Sequence, residues 1–296
     1  MGSSNASASA PSKFAALISS MTGSSAAGVF VVVAIIIIVL ILAFIVYRMR
    51  RSNLSAVSIV KNPKRLYDMG GPYSVDSARM PATLNGQEYS FTMWLYITDF
   101  TTTAEHKLIL MRGGNGPTLD GASPIVFLDK NTNKLYISIR TNQSPTSVPS
   151  LDTVLNKASK YLTAAIEYVP LQRWVSIAFV VHDNLLTVYL NGDIYTVENV
   201  YDIAASGTRP VFSGLKGNVL VGSIANSGTN RTASTQGFIS RTYFYNYALT
   251  PEDIRAVTGS GPVPGSSLLA NIGMSEYGVR APIYRVGEDG NPVDDS

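Results

Sequence analysis

The segment "RWVSIAFVVHDNLLTVYLNGD", Arg173–Asp193, decides the fold predicted for this chain. Its two apolar runs, "RWVSIAFVV" and "LLTVYL", are rich in the β-branched and aromatic residues that favour strands. The "HDN" between them has the composition of a tight turn. Asn191-Gly192 follows the second run and is the strongest short hairpin signal in the sequence. The segment therefore predicts antiparallel strands joined by short turns.

The same period of two extends outward from this segment. In "YSFTMWLYI", apolar residues at 91, 93, 95 and 97 alternate with a second set that includes Trp94 and Tyr96. Further strands are predicted at "KLILM", "IVFLD", "KLYISIR", "NVLVGS" and "FISRTYFYNY". Two exceptions are a helical or looped insertion over Ser150–Leu162 and a short helix at "TPEDIRAV", with Thr250 as its N-cap. The pattern predicts an all-β protein, a two-sheet antiparallel jelly-roll sandwich.

Near the N-terminus the pattern changes to an unbroken apolar run, "VFVVVAIIIIVLILAFIVYRMRRS". Residues 26–47 carry no charge, and a helix of that length covers roughly 33 Å, enough for a hydrocarbon core of about 30 Å. The run is too long for a signal peptide and ends in basic residues rather than a cleavage pattern. We therefore predict one uncleaved transmembrane helix at 26–47.

The charges around this run are asymmetric, although the formal net charge of the chain is only +3. Residues 1–25 carry Lys13 alone, whereas six basic residues precede the first acidic residue after the run, Asp68: Arg48, Arg50, Arg51, Lys61, Lys64 and Arg65. Cationic residues stay on the cytoplasmic side during insertion, so we expect the C-terminal domain in the cytosol. The chain has no cysteine, which agrees with that compartment. The basic cluster can rest on lipid headgroups or be a solvated linker. Because it lies beside the membrane segment and not on the sandwich, nucleic acid is not expected as a partner.

These features divide the chain into five parts. We expect a flexible N-terminal segment at 1–25, the transmembrane helix at 26–47, a basic connector at 48–84, the sandwich at 85–258 and an extended tail at 259–296. The tail has scattered apolar residues and an acidic end, and it can dock on a neighbour, pack on its own domain or be disordered.

No catalytic, metal or cofactor site is predicted. A retaining glycosidase needs two carboxylates about 5 Å apart, and the glutamates here are dispersed. His106 and His182 are the only histidines and lack metal-site spacing, while Asp183, Asn184, Asp193 and Asp202 favour turns over calcium ligation. Five aromatic residues on presumed strands could stack on sugar rings, but packing or a protein interface is favoured: Trp94, Tyr96, Tyr243, Tyr245 and Tyr247.

The order of these pieces resembles the laminin-G-like group of the concanavalin A-like superfamily. The resemblance covers about residues 87–257 and rests on Trp174 at the start of the central strand, the hairpin at Tyr189–Gly192, Gly222 after a strand, and the corner "NYALTPEDI". It implies a two-sheet jelly roll that hosts glycosidases, sugar binders and interaction modules. The family commonly has an acidic residue where this chain has Ser240-Arg241, so a metal or ligand role tied to that acid is not expected here.

The topology and the resemblance together are similar to membrane-associated minor capsid proteins of large icosahedral DNA viruses of the chlorovirus type. This similarity implies a structural, non-catalytic protein that tethers a viral shell to its internal membrane and contacts the lipid bilayer and other capsid proteins. The alternative is a membrane-anchored, lectin-like surface protein that binds a glycan.

Overall fold

The computed structural model describes residues 33–45, 55–66, 73–83, 87–113, 118–204, 209–224 and 232–263. The chain divides into two units, Met1–Asn53 and Leu54–Ser296. In the first unit, residues 33–45 form an exposed helix, α1. None of the helices in the described ranges is long and apolar enough to cross a membrane. The rest of the predicted 26–47 helix, the 1–25 segment and the tail beyond Val263 lie outside the described residues.

The second unit is built from two antiparallel sheets. The strands, in chain order, are β1 Ala56–Val60, β2 Lys64–Arg65, β3 Tyr73–Val75, β4 Tyr89–Ile97, β5 Lys107–Arg112, β6 Ile125–Leu128, β7 Leu135–Ile139, β8 Leu162–Ile166, β9 Trp174–His182, β10 Leu185–Leu190, β11 Asp193–Asn199, β12 Val219–Val221 and β13 Gly237–Tyr245. Sheet A has the order β1-β13-β4-β9-β10-β11, with β2 also paired to β13. Sheet B has the order β3-β12-β5-β6-β7-β8. The predicted all-β sandwich of two antiparallel sheets is confirmed.

The segment that decided the prediction forms the centre of sheet A. β9 pairs with both β4 and β10, and β10 turns back into β11. The second turn has positive φ at Asn191 (53°) and Gly192 (93°), the backbone that a two-residue type I′ hairpin requires. Asp183 in the first turn also has a positive φ of 51°.

Alternation along the strands divides the apolar residues between the two sides of each sheet. In β9, residues 175, 177, 179 and 181 enter the inner core between the sheets, where the Phe91 and Phe179 rings stack 5.2 Å apart. The intervening Ala178 and Val180 face outward. In sheet B, Val126 enters the inner core while Phe127 faces outward. Each sheet therefore has a second apolar face that needs a cover.

Two segments provide these covers. On sheet B, the predicted insertion contains the short helix α2, Leu151–Leu155, which packs in an outer cluster with Phe127, Tyr161 and Leu220. On sheet A, helix α3, Pro251–Gly259, packs through Ile254 against an outer cluster. The predicted start of α3 is confirmed: Thr250 and Asp253 form a reciprocal capping box, with Pro251 in the first turn.

The boundaries of the sandwich differ from the prediction. Three strands, β1, β2 and β3, lie inside the connector predicted at 48–84, and they pair with β13 and β12. A two-residue strand and a three-residue strand show no readable period in the sequence, so only their partners define them. At the other end, Gly261 and Pro262 are buried on the sandwich although the predicted tail begins at residue 259.

Candidate functional site

The predicted aromatic residues lie on the outer face of sheet A but do not form one exposed row. Trp94 and Tyr245 are buried, at 5% and 9% exposed, the second of them in the outer cluster that α3 covers. Tyr243, Tyr245 and Tyr247 form a chain with ring centroids 6.3 Å and 5.8 Å apart. Burial raises the pKa of the Tyr245 hydroxyl above its usual value. These rings therefore act mainly in packing.

Tyr96 belongs to a separate aromatic cluster at the other end of the same face. Its ring lies 5.4 Å from that of Trp174 and 6.2 Å from that of Phe238, and all three are half-buried. The pairing of Tyr96 with Trp174 in β9 and Phe238 in β13 brings them together across three strands. Trp174 and Phe238 lie 78 and 142 positions after Tyr96 in the chain, too far for a local sequence pattern to connect them. Sequence reasoning therefore identified Tyr96 without its neighbours. We call Tyr96, Trp174 and Phe238 the aromatic cluster.

Half of the predicted membrane-flanking basic residues can be placed. Arg48, Arg50 and Arg51 lie outside the described residues, and Lys61 is exposed. Lys64 and Arg65 form β2 and pair with Ile239 and Phe238 of β13. The Lys64 Nζ atom lies 3.9 Å from the centre of the Tyr73 ring, a cation–π contact. These two residues are therefore part of the folded sandwich and not of a free linker.

Ser240 and Arg241, which stand where the family commonly has an acid, hold the chain that follows α3. The Ser240 hydroxyl donates to the Pro262 carbonyl oxygen at 2.6 Å. The Arg241 Nη1 atom donates to the Ser260 carbonyl and hydroxyl oxygens at 2.9 Å and 2.7 Å. A bulge between Ser240 and Tyr243, with φ of 40° at Arg241, directs these side chains. At this position the chain binds its own backbone.

His106 lies buried between two carboxylates. Its Nε2 atom is 3.2 Å from an Asp152 oxygen and its Nδ1 atom 3.4 Å from an Asp129 oxygen. Burial alone would raise the pKa of Asp129, but hydrogen bonds from the Asn131 amide and the Thr132 hydroxyl and amide hold it below its usual value. At Asp152 burial again acts to raise the pKa, but Lys130 donates to the carboxylate at 3.1 Å and the pKa is lowered. The arrangement joins helix α2 to sheet B.

Two other buried groups lie inside the sandwich, Tyr89 at the start of β4 and Arg112 at the end of β5. Burial raises the pKa of the Tyr89 hydroxyl and lowers that of the Arg112 guanidinium to about 10. The Arg112 guanidinium carbon lies 4.9 Å from the centre of the Phe244 ring. The Phe244 ring therefore stabilises the buried Arg112 cation. No carboxylate of the described residues forms an ion pair with Arg112.

The pairing of β4 with β9 brings Glu88 close to His182 and Asp183. Potential ligand atoms of the three side chains lie within 4.8 Å of one another, and His182 and Asp183 are exposed. Sequence reasoning expected turn residues here, and the positive φ of Asp183 agrees with a turn. Glu88 was missed as a neighbour because it is distant in the chain. Three such groups at an exposed turn do not by themselves define a coordination shell.

The most exposed apolar side chains of the sandwich are concentrated at one sheet edge. β11 is the edge strand of sheet A and has β10 as its only strand partner in the described ranges. Ile194 is 58% exposed and Val197 50%, and Tyr195 is also exposed. The amide of Glu167 donates to the Tyr195 hydroxyl at 3.1 Å, so the loop that contains Glu167 lies beside β11. Tyr168, the next residue of that loop, is also exposed. We call Tyr168, Ile194, Tyr195 and Val197 the edge patch.

The fold and these surfaces define the chain as a β-sandwich of the lectin and glucanase type. The family model described as the concanavalin A-like lectin/glucanases superfamily, Laminin_G_3, matches residues 70–255, more than half of the chain. The chain therefore belongs to that family, and the predicted laminin-G-like resemblance is confirmed.

Comparisons with individual proteins give weaker similarities. No curated protein sequence matches the chain significantly. Among solved structures, it is similar to the ligand binding domain of botulinum neurotoxin serotype D in complex with N-acetylneuraminic acid, with 14% identity and a TM-score of 0.46 over 69% of this chain and 45% of that one. The receptor binding domain of botulinum neurotoxin type G has 10% identity and a TM-score of 0.39, over 69% and 46%. The chain thus spans less than half the length of these structures.

Proposed function

We propose that this protein is a structural, non-catalytic tether, a minor capsid protein that links a viral shell to an internal membrane. Residues 26–47 would cross the bilayer, with Arg48, Arg50 and Arg51 on anionic headgroups and the sandwich on the cytosolic side. The apolar composition of the run and the charge asymmetry support this part. The sandwich and the 259–296 tail would then bind neighbouring shell proteins.

The observation that carries the tethering role is the edge patch. An edge strand presents unpaired backbone N–H and C=O groups, and proteins usually protect such edges with charges, prolines or covering loops. β11 has neither proline nor lysine, and its charged residues, Asp193 and Glu198, lie near its two ends. Its Ile194 and Val197 side chains are exposed. An extended segment of a shell protein can add to this edge by main-chain hydrogen bonds, with its side chains against the apolar patch. Many copies in one shell would compensate for modest single contacts.

The double variant Ile194→Lys, Val197→Lys tests this role in full-length protein assembled into particles. The two lysines place charges on the edge and leave the inner core intact, so the fold should persist. After the membrane is stripped with detergent, wild-type protein should remain with the shell, and the variant should leave with the detergent fraction. Val211→Lys, another exposed valine outside the edge patch, is the matched control and should be retained. Equal loss of wild type, variant and control would contradict the tether.

Sidedness is a separate control, and the absence of cysteine makes it direct. Single cysteines at Ser25 and at the exposed Ala256 would each be the only thiol in the chain. In sealed microsomes, whose outer surface is the cytosolic side, an impermeant maleimide should label position 256 and should reach position 25 only after permeabilisation. Labelling of position 25 but not of position 256 in sealed microsomes would place the sandwich on the lumenal side and remove the basis for the capsid role.

Carbohydrate binding by a membrane-anchored, lectin-like protein is the second candidate. The family to which the chain belongs includes lectins, and the half-buried aromatic cluster offers ring faces on which a sugar could stack. Glycan binding that is lost in Trp174→Ala but kept in Tyr247→Ala would favour this function.

A further inference from the structure

A polar cleft lies at one end of sheet B, away from the aromatic cluster and the edge patch. Three segments form it: the turn before β6, the residue that follows β7, and the loop before β12. Its volume is about 460 Å³, and its walls include Asp120, Gly121, Arg140, Gly214, Lys216 and Gly217. Clefts of roughly 300–1,000 Å³ hold small molecules. No aromatic side chain is among the residues that line it, so recognition there depends on charge and hydrogen bonds.

Arg140 and Lys216 give the cleft its positive charge. Neither forms an ion pair with a carboxylate in the described part of the chain. The Arg140 Nη2 atom makes one long hydrogen bond, 3.4 Å, to the Ser144 carbonyl oxygen, and its Nε atom is buried without an acceptor. Packing therefore fixes this guanidinium, which also interacts with the Tyr161 hydroxyl, and no carboxylate of the described residues pairs with it. A planar guanidinium pairs best with a carboxylate, through two parallel hydrogen bonds.

Asp120 adds an acceptor to the same cleft. Its Oδ1 atom accepts from the Val148 amide at 2.6 Å, which fixes the carboxylate, and its Oδ2 atom has no partner among the residues that the structure describes. Burial raises the pKa of the nearby Tyr161 to about 12, an effect that the Arg140 charge reduces and the Asp120 charge increases. The two charges therefore act on one common region. A carboxylate oxygen is suited to accept hydrogen bonds from hydroxyl groups.

The glycines keep the cleft open. A Cβ atom built at Gly121 or Gly214 would meet nothing within 4 Å. Gly121 has a φ of 68° and needs to be glycine for conformational reasons, whereas Gly214 has no such restriction. Because Gly214 lines the cleft, a larger side chain there can project into the cleft without a clash and without backbone strain.

We propose that this cleft binds a carboxylate-bearing sugar, such as a uronic acid residue. Arg140 and Lys216 bind the sugar carboxylate, and Asp120 accepts hydrogen bonds from the ring hydroxyls. A neutral sugar lacks the group that the two cations recognise, and a simple anion lacks the hydroxyls that Asp120 recognises. The proposal rests on the second candidate function and gives it a site other than the aromatic cluster, and it is independent of the tether because none of the residues that line the cleft belongs to the edge patch.

The test uses full-length protein in detergent and measures binding of glucuronate, glucose and inorganic sulfate by calorimetry. Glucuronate should bind saturably. Glucose, which has a neutral CH2OH group in place of the carboxylate, should bind at least about tenfold more weakly, the effect of one charged hydrogen bond. Lys216→Ala and Arg140→Gln should each weaken glucuronate binding by a similar factor. Arg140 is partly buried and Lys216 is exposed. If Arg140→Gln does not fold, the binding measured for Lys216→Ala decides the test.

Gly214→Leu decides whether the cleft is the site. It should abolish glucuronate binding and leave the melting temperature unchanged, while Gly259→Leu, at another glycine with open space around it, should bind normally. Undetectable glucuronate binding, unchanged binding in Gly214→Leu, or equally tight sulfate binding would each overturn the proposal. Binding to a glycan array that Gly214→Leu leaves intact but Trp174→Ala removes would keep the lectin function and reject this cleft.

Discussion

The outer faces of the two sheets are both covered, but the covers are attached in different ways. On sheet B the cover is a mid-chain insertion, held at one end by β7 and at the other by β8, and its contacts centre on Phe127, Leu151 and Val154. On sheet A the cover is α3, which is attached to the sandwich through β13 at its start and through hydrogen bonds beyond its end. The sheet B cover is joined covalently to strands at both of its ends, so we expect it to unfold together with the sheet. The sheet A cover is joined covalently to the described sandwich only at its start and is held beyond its end by three hydrogen bonds, so we expect it to open locally.

Phe127→Ala should have the largest effect, because it removes a fully buried ring beneath the cover of sheet B. A Phe-to-Ala truncation in a core costs about 3–5 kcal/mol of unfolding free energy. Urea unfolding of the full chain should show one transition at lower denaturant, with β-sheet signal and tertiary fluorescence lost together. The exposed Leu185→Ala is the control and should change little. Loss of the α2 region before the sheet would contradict the view that this cover and its sheet form one unit.

Ile254→Ala should have a smaller effect and a local one. Ile254 is the buried anchor of α3, and its truncation should cost roughly 2 kcal/mol, the lower end of the range for such a change. Hydrogen exchange should increase in α3 and in residues 260–263 while β4 and β9 stay protected. Val257→Ala, a half-buried neighbour on the same helix, should show the same pattern more weakly. If exchange increased equally throughout sheet A, the two covers would not differ in the way described.

The smallest effect should be the response of the sheet B cover to acid. The pKa values of Asp129 and Asp152 are lowered in the folded state, so both stabilise it above their unfolded pKa, about 3.9. That contribution is lost as the pH falls through the lowered folded values, that is, below about pH 4. Asp152→Asn should therefore reduce the acid dependence of unfolding around α2, by less than about 1 kcal/mol because this carboxylate is half exposed. Asp202→Asn, an exposed carboxylate in another turn, should leave that dependence unchanged.

The sequence-based prediction was correct where a structure depends on residues close together in the chain, and it missed structures that depend on distant residues. The hairpins around β10 and the cap of α3 depend on residues within a few positions, and both were predicted correctly from Asn191, Gly192 and Thr250. The family resemblance, which was based on the order of such local motifs along the chain, was also correct. β2 and β3 were missed because strands this short are held only by partners distant in the chain. Gly237 shows the same limit, since a Cβ atom there would lie only 2.1 Å from the Tyr96 carbonyl oxygen, a contact that no local pattern reveals.

The sequence by itself determined the class of the fold, because a period of two and the turn residues are written into neighbouring positions. It also determined the apolar run and the charge asymmetry on which the tethering proposal depends. Only the tertiary structure decided which aromatic residues are buried, what Ser240 and Arg241 bind, and that Asp120, Arg140 and Lys216 share a cleft. These outcomes depend on strand pairing and loop placement, which bring together residues separated by 19 to 142 positions. No local signal contains that information.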